Sequence, residues 1–229
     1  MKAIHNKTTL SIFIENAYRN YGFVSAFIYG YQGSGKTTYA LKTLYYLYGD
    51  WDTALNHLYF DIDKALETMR KAFSNNERIK AIVIDDAGYS LIKYDWRKEH
   101  SQWFSRFFNL ARTVVSGIIF TSIETSDIIA FVREKIMYPV NVRAIDNLRS
   151  EARGYRIYFT PLMEKYAKKV FRDIYIRRLP QEVFEKYEKM RKEAISKLFD
   201  IEPKKKPESK PELDEDKLLE NMKKQLGLP

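Results

Sequence analysis

Eight consecutive residues, Gly30-Tyr31-Gln32-Gly33-Ser34-Gly35-Lys36-Thr37, carry the most specific chemistry in the chain. They fit G-x-x-x-x-G-K-[ST] without a mismatch and stand between a run of strand formers and a helical pattern. Glycines at 30, 33 and 35 let the backbone wrap a phosphate with its N–H groups turned inward, and the following helix adds a partial positive charge at its N-terminus. Gln32 and Ser34 complete the loop, and Thr38 follows it on the helix. Lys36 is placed for the β- and γ-phosphates and the Thr37 hydroxyl for Mg2+. The expected ligands are therefore ATP and Mg2+. No N/T-K-x-D guanine signal follows the loop, which favours ATP over GTP.

A second constellation supplies the acids. Ala81-Ile82-Val83-Ile84 is a continuous apolar run ending in Asp85-Asp86. This is the Walker B pattern, with Asp85 holding the metal. Asp86 falls where many ATPases carry a glutamate that orients the attacking water, though it is one methylene shorter. The apolar run 117–120 ends in Thr121, a position suited to sensing the γ-phosphate, and Arg133 could reach a neighbouring subunit's nucleotide as an arginine finger. Cysteine is absent and the three histidines (His5, His57, His100) are scattered, which excludes thiol catalysis, iron–sulfur clusters and a histidine-rich metal motif.

These groups need a scaffold. Apolar residues at helical spacing mark helices over 8–20, 37–48, from Asp61 or Asp63 to 73, 101–114 and 127–135. Strand runs fall at 23–29, 57–60, 81–84, 117–120 and 137–142. Strands alternating with helices predict an α/β fold with a mostly parallel sheet flanked by helices. After about residue 150 the rhythm changes: 152–160 and 170–178 read as a β-hairpin, and Pro180 opens a charged helix to about 199. The expected divisions are 1–150 for the P-loop core, 151–200 for a basic hairpin plus helix packed on it, and 201–229 for a flexible charged tail.

The net charge of +9 is regional. Residues 202–229 hold seven lysines against seven acids and contribute none of it, whereas residues 141–180 hold ten Lys/Arg against four acids. There Arg153, Arg156, Lys168, Lys169, Arg172 and Arg177 interleave with aromatics such as Tyr158. Alternation along a hairpin puts Tyr155, Ile157 and Phe159 on one face and Arg156, Tyr158 and Thr160 on the other. The cations could track phosphates while Tyr158 stacks on bases, or the hairpin could be an ordinary amphipathic one with its basic face in water. The aromatic loop 89–103 is a second candidate contact, or simply packs. No apolar run reaches the length of a membrane span, so a cytoplasmic protein is expected. Abundant Lys, Glu and Tyr without cysteine fit a thermophilic source.

Six stretches taken together resemble a known family. They are GYQGSGKTTYALK after Gly22-Phe23, IVIDDAG with LIKYDW, VVSGIIFT, FVREK, and LPQEVFEKYEKMRK near the C-terminus. In this order they are similar to the P-loop ATPases of fuselloviruses, spindle-shaped viruses of thermoacidophilic archaea, and of related plasmids, which have been called DnaA-like. The resemblance covers roughly residues 10–199. It implies an additional-strand P-loop fold of the AAA+/DnaA or DnaC kind, ATP hydrolysis, and a role with viral or plasmid DNA; the partners expected alongside are other copies of the chain (homo-oligomers) and replication or packaging proteins. The first expectation is replication initiation or helicase loading. A departure from the AAA+ pattern is that 152–178 read as strands where a helical lid would stand, which packaging motors of the FtsK/HerA class also lack. The alternatives are therefore a DNA packaging or transfer motor, and a nucleotide-gated adaptor with little turnover.

Overall fold

The computed structural model describes residues 7–86, 108–123 and 134–199. Its elements in chain order are α1 (Thr9–Arg19), β1 (Val24–Tyr29), α2 (Lys36–Tyr48), α3 (Trp51–Asn56), β2 (Leu58–Tyr59), α4 (Ile62–Ser74) and β3 (Ile82–Ile84). Helical residues 108–114 then lead to β4 (Gly117–Ser122), β5 (Tyr138–Ala144), β6 (Arg149–Phe159), β7 (Lys165–Ile176) and α5 (Gln181–Phe199). Two compact units divide the chain, Met1–Arg191 and Lys192–Pro229.

The seven strands form one sheet in the order β2-β3-β4-β1-β5-β6-β7. The first five pair in parallel and the last three antiparallel. β1, β3 and β4 are continuous apolar runs because both faces of the sheet are covered there. Alternation along β1 sends Val24, Ala26 and Ile28 to one core, with α1, α2, α3 and the start of α5. It sends Phe27, flanked by Phe23 and Tyr29, to the other, with α4 and residues 108–114. The helix starts are set by side chains: Thr8 caps α1, Asp50 caps α3 and Asp61, rather than Asp63, caps α4. Each such cap contributes about 1 kcal/mol.

Two consequences bear on function. β4 lies between β1 and β3, so the strand that feeds the glycine loop and the strand that ends in Asp85 are separated by the strand that ends in Thr121-Ser122. This is the P-loop NTPase fold in its additional-strand form. Beyond β5 the sheet continues as the β6–β7 hairpin, with no helix between residues 138 and 176. The hairpin is longer than the sequence pattern indicates and has a bulge at Gly154/Tyr155. Residues 165–169 extend β7 through pairing with β6, a tertiary effect that overrides their unremarkable local propensity.

Candidate functional site

The loop 30–35 rises from the end of β1 and turns into α2. Gly30 and Gly35 both need to be glycine. A Cβ on Gly30 would lie 2.1 Å from the Val142 carbonyl oxygen, and Gly35 sits at φ +97° as the residue that begins α2. Unlike the side-chain-capped α1, α3 and α4, α2 has no side-chain hydrogen bond at its N-terminus, so its first N–H groups remain available to an anion. Lys36, 8% exposed, donates from Nζ to the carbonyls of Gly30 (2.9 Å) and Tyr31 (3.1 Å). Burial lowers its pKa, while Asp86 and Asp85 nearby push it back up.

Across from the loop, Asp85 is fully buried and is held by three hydroxyls. Thr37 Oγ1 donates at 3.0 and 3.2 Å to its two oxygens, Thr121 Oγ1 at 2.5 Å to Oδ1 and Tyr187 Oη at 2.9 Å to Oδ2. Burial and the neighbouring Asp86 raise its pKa to about 6, against the pull of those donors. Asp86 takes a left-handed backbone (φ +48°), stabilised by its N–H donating to Thr121 Oγ1 at 3.0 Å. The Thr121 hydroxyl thus joins the two acids.

The donor set fits a nucleotide with Mg2+. Ser34 Oγ is buried in the loop with no hydrogen-bond partner among the described residues. Thr37 and Asp85, the pair expected to hold the metal, are already in contact. Among the described residues no group of three or more His, Cys, Asp or Glu is placed for a metal ion. Mg2+ would be held here by one carboxylate, one hydroxyl and the substrate's own phosphates.

The structure also brings in residues that motif reading missed. Two hairpin hydroxyls hold the outer, carbonyl side of the loop, Ser150 Oγ donating to Ser34 O (2.6 Å) and Tyr175 Oη to Gly35 O (2.9 Å), and Arg177, just past β7 and expected on DNA, donates to Gly33 O (3.0 Å). Arg177 also donates to the carbonyls of Asp146 and Asn147, and its own carbonyl accepts from Thr38 Oγ1 at 3.1 Å. Nothing in the local sequence marks Ser150 or Tyr175. Tyr187 had a signal, as the last residue of the Leu179-Pro180-x-x-Val183-x-x-x-Tyr187 pattern. Gln32 is exposed at the crest of the loop. Arg133 and the aromatic loop 89–103 lie outside the described residues.

The basic residues expected on one DNA surface occupy three places. Arg177 is against the phosphate loop. Arg153 and Arg172 join Arg143 around the buried carboxylate of Glu151. Arg156, Tyr158, Lys168 and Lys169 lie on the distal arm, where residues 165–170 of β7 are exposed throughout. Arg156 pairs in register with Lys168 and Tyr158 with Tyr166, so these four share one face, whereas Lys169 pairs with Tyr155. The Arg156 guanidinium lies 5.3 Å from the Tyr158 ring centre, which stacks at 5.5 Å on Tyr166.

No family model matches the chain. Protein B-251 of Sulfolobus spindle-shape virus 1 is 37% identical over 216 residues, which cover 87% of this chain and 86% of that protein. Protein ORF286 of Acidianus two-tailed virus is 31% identical over 156 residues, covering 66% of this chain and 54%, about half, of that protein. Both are proteins of archaeal viruses. Among solved structures, the N-terminal domain of zonular occludens toxin from Neisseria meningitidis aligns with 71% of this chain and 97% of its own, at 12% identity and a TM-score of 0.41. A KaiC-like protein from the hyperthermophilic archaeon Pyrococcus horikoshii OT3 aligns with 76% of this chain and 99% of its own, at 13% identity and a TM-score of 0.40. No helix among the described residues is long and apolar enough to cross a membrane.

Proposed function

We propose that this chain, which belongs to the family of protein B-251 of Sulfolobus spindle-shape virus 1, is a Mg2+-dependent ATPase that acts on viral DNA. The observation that carries the reading is the contact of Thr37 with the buried Asp85, beside Lys36 and an α2 N-terminus without a side-chain cap. Phosphate would be bound by the first N–H groups of α2 and by Lys36, which would exchange its carbonyl partners for phosphate oxygens. Thr37 and Asp85 would hold Mg2+, which would supply charge neutralisation to the bound phosphates. Asp86, fixed by Thr121, orients the attacking water, and Thr121 acts by positioning both acids rather than by a free hydroxyl.

The distal arm supports a DNA partner: Arg156 and Lys168 supply phosphate contacts and Tyr158 with Tyr166 a stacking platform. Within that reading, the continuation of the sheet into strands supports a DNA-moving motor over a replication loader of the AAA+ type. Both would work as homo-oligomers, with Arg133 offered to a neighbouring subunit.

The test is ATP turnover with and without single- and double-stranded DNA, measured alongside oligomer mass. Turnover that DNA stimulates, that Lys36→Ala abolishes and that Arg156→Glu with Lys168→Glu uncouples from DNA is the expected result. Turnover indifferent to DNA would remove the DNA reading, and nucleotide binding with negligible turnover would leave an adaptor. Movement along naked duplex would separate the motor from the loader.

A further inference from the structure

The pattern Leu179-Pro180-x-x-Val183-x-x-x-Tyr187 has no part in the nucleotide chemistry that the loop and the acids account for. In the fold it opens α5. Val183 and Tyr187 are one turn apart and both buried. The Tyr187 ring packs 5.8 Å from Phe60, just beyond β2, and Lys186 pairs with Asp52 of α3. The start of α5 is therefore held at Lys186 and at the Tyr187 ring, and the Tyr187 hydroxyl is delivered to Asp85 Oδ2 at 2.9 Å.

The hydroxyls around Asp85 are not equivalent. Thr37 is the residue whose hydroxyl oxygen would turn to a metal, and it reaches both carboxylate oxygens. Thr121 and Tyr187 divide them, one on Oδ1 and one on Oδ2, from strands and helices on different parts of the chain. Two donors on two oxygens fix the rotation of a carboxylate, which a single donor leaves free. Partners of this kind, one bond removed from a metal, set the orientation of the ligand and commonly change metal affinity about 10–100-fold when lost.

We propose that Tyr187 is a positioning residue for Mg2+, orienting the Asp85 carboxylate toward Thr37 from the C-terminal helix. This rests on the reading of the site as one for Mg2+ with ATP. It also gives the LP-x-x-V-x-x-x-Y pattern a purpose: Pro180 starts the helix, Val183 seats it, and Tyr187 completes the metal site.

The experiment is a titration of Mg2+ against a fluorescent ATP analogue bound to the full chain, with Tyr187→Phe and Phe60→Leu alongside the wild type. Tyr187→Phe keeps the ring and removes the donor. It is expected to raise the Mg2+ concentration at half-saturation about tenfold, while affinity for the analogue in excess chelator stays within about twofold. Phe60→Leu loosens the packing without touching the hydrogen bond and is expected to lower the Tm while leaving the Mg2+ midpoint in place. An unchanged midpoint in Tyr187→Phe overturns the proposal, and a tightened one overturns it by making the hydroxyl a competitor for the carboxylate. If the wild type binds no analogue, the ATPase reading itself fails, an outcome distinct from either.

Discussion

Glu151 shows how much of this protein depends on single side chains that no motif announces. Its carboxylate is 1% exposed and receives the guanidiniums of Arg143, Arg153 and Arg172. Burial acts to raise its pKa, but the three arginines outweigh it and hold the group at about 2, below the ordinary 4.5. A lowered carboxylate stabilises the fold above its unfolded pKa and loses that contribution as the pH falls through the folded value. Glu151→Gln should therefore destabilise the protein by on the order of 2–3 kcal/mol at pH 7, since it leaves three cations facing one another. In urea denaturation the gap between wild type and variant should narrow steadily from pH 4.5 toward 2; a constant gap would show that packing, not charge, holds the site. Lys36, Thr37 and Asp85 were legible in the sequence because their chemistry is local to a loop and a strand end. Glu151 was not, because a list of charges does not say which ones meet: the pairs it joins are set by the β5–β6–β7 register.

At the scale of elements, β7 is the brace of the proposed nucleotide site. Asp173 accepts from the Thr9 N–H and hydroxyl of α1 and from Tyr39 Oη of α2. Two residues further along the strand, on the same face, Tyr175 reaches Gly35 O, and Arg177 just past the strand reaches Gly33 O. These bonds fall on carbonyls and so do not occupy the first N–H groups of α2, which has no side-chain cap. Tyr175→Phe removes one such bond, worth about 1 kcal/mol, and should raise the KM for ATP roughly fivefold with kcat nearly unchanged. A matching fall in kcat would instead place Tyr175 in the chemistry. Continuous apolar runs made β1, β3 and β4 readable, and the change of rhythm after residue 150 made the hairpin readable. The six-residue α3 was missed because it is barely longer than a turn and depends on the Asp50 cap. The grip of the hairpin on the loop was unreadable for a different reason. It joins residues over a hundred positions apart, with Ser150 and Tyr175 of types common in any strand.

At the scale of the whole molecule, one sheet carries both the candidate site and the arm. Residues 30–37, 85 and 121 form the proposed nucleotide site near its centre, and the β6–β7 strands run from the outer side of that loop to an exposed basic and aromatic arm. The positive charge of residues 141–180 is divided: Arg177 holds the glycine loop, Arg143, Arg153 and Arg172 surround Glu151, Arg149 pairs with Asp146, and Arg156, Lys165, Lys168 and Lys169 lie on the arm. All of this depends on the central site taking ATP with Mg2+. The most direct measurement is calorimetric titration of the full chain with ATP in Mg2+, wild type against Lys36→Ala. One nucleotide per chain is expected for the wild type and a loss of at least about a hundredfold in affinity for the variant, as when a buried charge-assisted phosphate contact is removed. Equal affinity in the two proteins, or no binding by a folded wild type, would contradict it.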